Sequence, residues 1–175
     1  MTRHDAQTLL AMERHVRQHG TSIKAEDLDG RWMLQNVWPK GSIKTAALSN
    51  WSLRGLQARL DITAVSSQCL QIRNAVRLGP FELRFEGEGA LEGPRPLLTF
   101  SFNRLELHAW DRPVIQRSLD APAPGRRPFF ALINRDTNGW LAARGRGGGL
   151  ALWSLDQKMD NGQPTSGHVA PIHAS

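Results

Sequence analysis

The residues able to do chemistry are few and scattered. His15 and His19 stand four apart, a spacing that sets two imidazoles on one helix face where they can share a metal ion. No Glu accompanies His15 as in a metalloprotease motif and no third ligand stands near, so no metal is expected. Cys69 is the only cysteine, which rules out an intrachain disulfide and a thiolate cluster within one chain. It lies in a strand-like run with no His nearby to activate it and reads as a packed or lining thiol. Glu86 and Glu88 are close in sequence but share an outward parity. Arg144-Gly145-Arg146-Gly147-Gly148-Gly149 is rich in backbone amides, yet lacks the Lys-Ser/Thr ending and strand-to-helix setting of a phosphate loop. It reads as a hairpin turn. No Ser-His-Asp set stands out, so no catalytic residue is assigned.

Binding chemistry remains. Asn36, Asn74 and Arg104 are polar residues on otherwise apolar faces. A buried polar group needs a partner, either a ligand head group or a neighbouring backbone group.

The elements that must position these residues follow from periodicity. Residues 3–19 read as an amphipathic helix, with Ala6, Leu9, Leu10, Glu13 and Val16 at helical spacing and Gly20 as its stop. A polar connector, Thr21 to Asp27, leads to Gly30-x-Trp32. There the period changes to two. Trp32, Leu34, Asn36 and Trp38 share one face of a first strand, and Pro39-Lys40-Gly41-Ser42 breaks it. Leu56 to Ala64, Leu70 to Leu78 and Phe81 to Glu86 alternate apolar with polar residues. Leu98, Phe100 and Phe102 continue the alternation, but Leu105 and Leu107 take the opposite parity. One extra residue near Asn103-Arg104, a β-bulge, explains the switch. Asp120 to Pro128 reads as an exposed loop. Phe129 to Asn134, Gly139 to Arg144 and Gly149 to Leu155 are closing strands, and a polar tail follows. About eight or nine short antiparallel strands indicate a sandwich or an up-and-down β-barrel. The inward apolar residues Leu34, Leu60, Ile62, Ile72, Val76, Phe81, Leu83, Phe85, Phe100 and Phe102, with Asn36, Asn74 and Arg104, are the ligand-lining candidates.

The chain of 175 residues is 40% apolar and 22% charged, a globular composition. No apolar run approaches the ~20 residues that span a bilayer. Met1 to Gly20 lacks the apolar core of a secretory signal and the serine richness of a transit peptide. Of the 22 basic residues 18 are arginine, and the net charge is +6. The arginines are spread along the strands and read as a solvated outer face. They lack the interleaved aromatics of a base-stacking surface, so no nucleic acid partner is expected.

Three places resemble the plastid lipid-associated protein family, the plastid fibrillins, in its short cyanobacterial form. Leu28-Asp29-Gly30-Arg31-Trp32-Met33-Leu34 is similar to the family's opening Leu-x-Gly-x-Trp-x-Leu. Leu70-Gln71-Ile72-Arg73-Asn74-Ala75-Val76 is similar to its middle strand. Ala143-Arg144-Gly145-Arg146-Gly147-Gly148-Gly149-Leu150-Ala151-Leu152 resembles its closing Arg-Gly turn and apolar strand. The acidic pair usual before that turn is replaced by Asp136-Thr137-Asn138, and the loop before the closing strands is short.

The resemblance implies a mostly β protein: a lipocalin-like antiparallel up-and-down β-barrel with an N-terminal amphipathic α-helix. Residues 1–27 form the helix and connector, 28–156 the barrel and 157–175 a flexible tail. Gly30, Trp32, Arg144 and Gly145 are the expected barrel closure. Arg144 is expected to lie over the Trp32 ring, since an arginine late in such chains packs there. The alternative role for Arg144 is a bidentate grip on a ligand carboxylate or phosphate.

The implied function is non-enzymatic binding of a hydrophobic small molecule of photosynthetic membranes: a lipid, carotenoid or prenylquinone. No other cofactor is expected. The implied location is cytoplasmic or peripheral to the thylakoid membrane, with contact to anionic thylakoid lipid or photosynthetic proteins. Two alternatives stand beside it. One is a phycobilin chromophore lyase or chaperone, holding a bilin by arginines on its propionates. The other is a photosystem assembly or stress interaction protein with a filled barrel.

Overall fold

The computed structural model describes residues 5–41 and 56–157. The expected tail, 157–175, lies outside them but for Gln157, as do residues 3 and 4 of the expected helix and Ser42 of the expected break after the first strand. The helix α1, Ala6–His19, starts at Asp5, whose carboxylate accepts a hydrogen bond from the Thr8 N–H at 2.8 Å. It stops at Gly20, where φ is 75° and a side chain would collide with the Pro94 carbonyl. The connector is more than a connector. Ala25–Leu28 forms a 3₁₀ turn, and Ala25 and Leu28 are buried in the core.

Among the described residues nine antiparallel strands follow: β1 Gly30–Trp38, β2 Leu56–Ala64, β3 Cys69–Leu78, β4 Phe81–Glu92, β5 Leu97–Ala109, β6 Arg112–Ser118, β7 Phe129–Arg135, β8 Trp140–Gly145 and β9 Leu150–Gln157. They form one sheet in the order β4-β3-β2-β1-β9-β8-β7-β5-β6, and β4 also pairs with β5, so the strands close into a ring. β2 has the bounds read from its alternation. β6 had no sequence signal: all its residues are exposed, so neither face carries an apolar pattern.

The ring is joined unevenly. β4 and β5 pair along their whole length, from Glu92 opposite Leu97 to Phe81 opposite Ala109. β5 and β7 meet only through Leu97 opposite Ala131, Leu98 opposite Phe130 and Thr99 opposite Phe129. Beyond Asn103, β5 takes β6 as its neighbour, from Arg104 opposite Ser118 onward. The ring is therefore zipped at the end holding the 3₁₀ turn and unzipped between β6 and β7 at the other.

Of the five register shifts between the described strands, three decide which of the residues discussed below face inward. In β4–β5 the register jumps from Glu86 opposite Arg104 to Gly87 opposite Phe102, leaving Asn103 as the extra residue, where the phase switch placed it. In β1 the jump lies between Leu34 and Asn36. In β7 it lies between Leu132 and Asn134. One core fills the zipped end: Leu28, Trp32, Ile62, Leu70, Leu98, Leu141 and neighbours. A second lies outside the ring, where Ala6 and Leu9 of α1 cover Trp38, Ile133, Ala142, Leu150 and Leu152.

Candidate functional site

The zipped end is plugged by Trp32, which is 0% exposed. Its indole N–H donates to the Leu28 carbonyl at 2.7 Å, so the 3₁₀ turn satisfies the one polar atom the ring buries. The cation over the ring is Arg135 and not Arg144: its guanidinium carbon lies 4.9 Å from the indole centroid. Such a contact contributes ~0.5–2 kcal/mol. Arg135 Nε also donates to the Asp27 carbonyl at 2.9 Å, tying β7 to the 3₁₀ turn. Because β7 bulges after Leu132, Arg135 pairs with Leu141, an inner residue, and reaches the plug.

Arg144 is opposite Ala131 and faces outward. Its Nε donates to Glu13 Oε1 at 2.6 Å, a terminal nitrogen donates to Glu13 Oε2, and another donates to the Gly148 carbonyl. Glu13 is the one acid on the buried stripe of α1, and Arg17 also donates to it at 2.9 Å. Arg144 is thus a clamp holding α1 against the β8–β9 hairpin, and Gly145 sits in that hairpin with its N–H on the Gly149 carbonyl. The Arg144 hydrogen bond, helped by Arg17 and opposed by burial, holds the Glu13 carboxyl below the usual carboxylate range. Glu13→Gln is expected to destabilise the fold by about 2 kcal/mol, since a charge-assisted bidentate pair is lost while Arg144 keeps some access to water. Melting followed by circular dichroism checks this, with a fall of roughly 4–8 °C expected.

The inner face carries most of the expected lining residues. Leu60, Ile62, Ile72 and Phe100 are fully packed, with Leu34 and Phe102 against them. Aromatic rings run in sequence through this interior: Phe85 to Phe102 at 5.4 Å, Phe102 to Phe100 at 5.3 Å, Phe100 to Phe130 at 5.2 Å and Phe130 to Trp153 at 5.2 Å. The ladder fits because β4 places Gly87 and Gly89 opposite Phe102 and Phe100. A Cβ on Gly87 would lie 2.0 Å from the Ser101 carbonyl oxygen.

Towards the unzipped end the inner face loses its cover. Asn74, Val76, Leu83, Phe85, Leu105 and Leu107 share this face through direct cross-strand pairing and are each only half-buried. Phe81 lies beyond them at the rim, 49% exposed, 6.1 Å from the ring of Trp110, so it lines no interior. Trp110 and Asp111 form the β5–β6 turn with positive φ at both positions, 48° and 61°, a conformation bulky residues rarely adopt. Trp110 is 74% exposed, with its backbone N–H on the Pro80 carbonyl.

Two expected lining residues face the other way. After the β1 bulge, Asn36 pairs with Leu152 and Trp38 with Leu150, both under α1, so Asn36 lies on the outer face. The Asn103 bulge does the same to Arg104, which pairs with Glu86 and forms an ion pair with Glu106. Cys69, expected to be a packed or lining thiol, is exposed at the start of β3.

Sequence reasoning missed how deeply the outer charges are buried. Glu82 is 2% exposed, less than the apolar residues on the opposite face of its own strand. Arg59, Arg77 and Arg84 converge on it from three positions, and Arg77 also pairs with Asp111. Asp61 is held by Arg31 at 3.0 Å and Arg59 at 3.3 Å. Burial pushes the Glu82 carboxyl up, but the Arg84 hydrogen bond and the charges of Arg59, Arg84 and Arg77 outweigh it, and the net direction is down. Beside it, His108 Nε2 lies 2.8 Å from Glu106, which also accepts from Gln116. The hydrogen bond to His108, aided by Arg104 against burial, lowers the Glu106 carboxyl. This lattice braces the sheet from behind, where its apolar front lacks full cover.

His15 and His19 stack at 4.3 Å on the exposed side of α1. Among the described residues, no group of three His, Cys, Asp or Glu side chains is placed to hold a metal ion. No described helix is long and apolar enough to cross a membrane. No protein-family model, curated protein or solved structure matches the chain.

Proposed function

We propose that the ring is a lipocalin-like barrel of the plastid lipid-associated type and that it binds a flat hydrophobic molecule, such as a prenylquinone or carotenoid, at its unzipped end. One observation carries this reading. The inner apolar face at Val76, Leu83, Phe85, Leu105 and Leu107 is half-buried, with Asn74 as the one polar group among them. A largely apolar lining with a few orienting polar groups is the usual make-up of a small-molecule site. The Leu-x-Gly-x-Trp, Asn-x-Val and Arg-Gly resemblances support the same reading. The chromophore-lyase alternative needs guanidinium groups inside the ring. On β1 to β5, Arg31, Arg59, Arg73, Arg77, Arg84 and Arg104 share the outer face, and Arg135, which does turn inward, is taken by the Trp32 ring and the Asp27 carbonyl, which favours an uncharged ligand.

Titration of the full chain with decyl-plastoquinone, read by quenching of tryptophan fluorescence, tests the reading. Trp153 ends the aromatic ladder, so a ligand on Phe85 and Phe102 is expected to reach it by energy transfer. Phe85→Ser with Phe102→Ser is expected to weaken binding about tenfold or more, since each ring contributes on the order of 1 kcal/mol of contact. Saturable quenching that this pair leaves unchanged sinks the assignment.

A second reading rests on the rim. Leu78, Phe81 and Trp110 are exposed at the hairpin tips of the same end, and Val114 and Ile115 are exposed on the adjoining β6. On that reading the rim seats the protein against a photosynthetic membrane or protein, and the ligand enters from there. Trp110→Ser is then expected to reduce co-sedimentation with anionic vesicles and leave quinone titration intact.

A further inference from the structure

A second groove, of about 390 Å³, lies outside the ring where α1 passes over β5, β7 and β8. Its position follows from strand alternation. Phe130 faces the inner ladder, so its neighbours Phe129 and Ala131 face out, and Leu97, opposite Ala131, joins them. Val16 of α1 forms the wall and Ile133 ends the floor. The volume lies within the ~300–1,000 Å³ of ordinary ligand sites.

The rim of this apolar slot is strongly basic. Arg17, Arg95, Arg144 and Arg146 line it, against Glu13 as the one carboxylate of the lining. Glu13 is already taken by Arg144 and Arg17. Arg146 gives its terminal nitrogens to the Arg127 and Gly125 carbonyls, at 3.0 Å and 2.8 Å, which fixes its position without neutralising it. Among the described residues neither Arg95 nor Arg146 forms an ion pair.

We infer that the groove binds a single-chain fatty carboxylate, its chain along Leu97, Phe129, Ala131 and Val16 and its head between Arg95 and Arg146. Charge complementarity selects an anionic head, and the floor selects an alkyl tail. The floor lies between α1 and the sheet, where a single chain is expected to enter and the flat surface of a bilayer is not. This site is separate from the inner face and does not depend on a ligand there.

Calorimetric titration of the full chain with monomeric oleate tests it. One oleate per chain is expected, with oleyl alcohol weaker by about tenfold for want of the charge-assisted bond, and no heat from inorganic phosphate. Arg95→Gln with Arg146→Gln is expected to weaken oleate about tenfold or more, and Ala131→Phe to abolish binding by filling the slot. Phe85→Ser with Phe102→Ser should leave it unchanged. Equal affinity for oleate and oleyl alcohol, indifference to both groove variants, or binding only to phosphatidylglycerol vesicles overturns the inference. Loss of oleate in the Phe85/Phe102 pair alone assigns it to the inner face and also overturns it. Should Arg146→Gln or Ala131→Phe lower the melting temperature severely, Arg95→Gln alone and Ala131→Leu carry the same comparison.

Discussion

Trp32→Ala is expected to lower stability by about 3–5 kcal/mol, the range for deleting a buried large aromatic. The indole has no exposed surface, and its loss removes contacts to Leu28, Ile62 and the rest of the zipped-end core. Two further interactions go with it: the Leu28 carbonyl, and with it the 3₁₀ turn, loses its 2.7 Å donor, and Arg135 loses the ring beneath it. At ~2–4 °C per kcal/mol for a chain of this size, the melting temperature should fall by roughly 6–20 °C. Trp32→Phe separates the effects: it keeps most of the volume, drops the N–H, and is expected to recover more than half of the loss. Arg135→Ala should cost no more than about 2 kcal/mol. If Arg135→Ala matched Trp32→Ala, the plug would rest on the cation and not on burial. Thermal and urea melts of the three variants decide.

The second large effect is expected at Glu82. Glu82→Ala leaves Arg59, Arg77 and Arg84 facing one another without the carboxylate that joins them. Breaking a buried ion pair from one side typically costs 3–5 kcal/mol. The arginines here are partly exposed and regain some hydration, so about 3 kcal/mol is expected. Double substitution Glu82→Leu with Arg84→Leu should recover part of it, because removing both partners removes the stranded charge. The same group ties stability to pH. Glu82, Glu13 and Glu106 all have folded-state carboxyls held below the ordinary value of 4.5. The unfolded chain therefore takes up protons first as pH falls. The stabilisation is fully present above pH 4.5, declines below it, and is gone once the folded carboxyls titrate. Urea midpoints from pH 7 to pH 3 should stay level and then fall, and Glu82→Gln should flatten that fall.

Much of the ring was readable because most strands are wet on one side. β2 alternates without interruption from Leu56 to Ala64, and the parity change between Phe102 and Leu105 located the bulge at Asn103. The β1 bulge left no such trace. Trp38 is apolar and stands at the parity of Trp32, yet it is buried on the opposite face, under α1. Periodicity reports that a residue is buried, not on which side. The same bulge carries Asn36 out of the proposed site, and the one in β7 puts Arg135 on Trp32 in place of Arg144. The charged lattice was illegible for another reason. Glu82 alternates as a solvent-facing residue should, and only the arginine stems laid over it remove its water.

The seam between β1 and β9 has a consequence for how the molecule is made. Arg31 lies opposite Gln157 and Gln35 donates to Ser154, 119 residues away. β1 emerges first among the strands yet waits for the last described one to complete its pairing, and α1 finds its clamp, Arg144, only then. Loop-closure entropy must be met before those contacts return any stabilisation, which places such topologies in the millisecond-to-second class. Local hairpins from β2 to β6 can assemble early, with sequence-adjacent pairings throughout. The expected order is then the meander first, with the β1–β9 seam completed last. Substitutions at the β1–β9 seam should chiefly speed unfolding, while those in the β3–β4–β5 meander should slow folding.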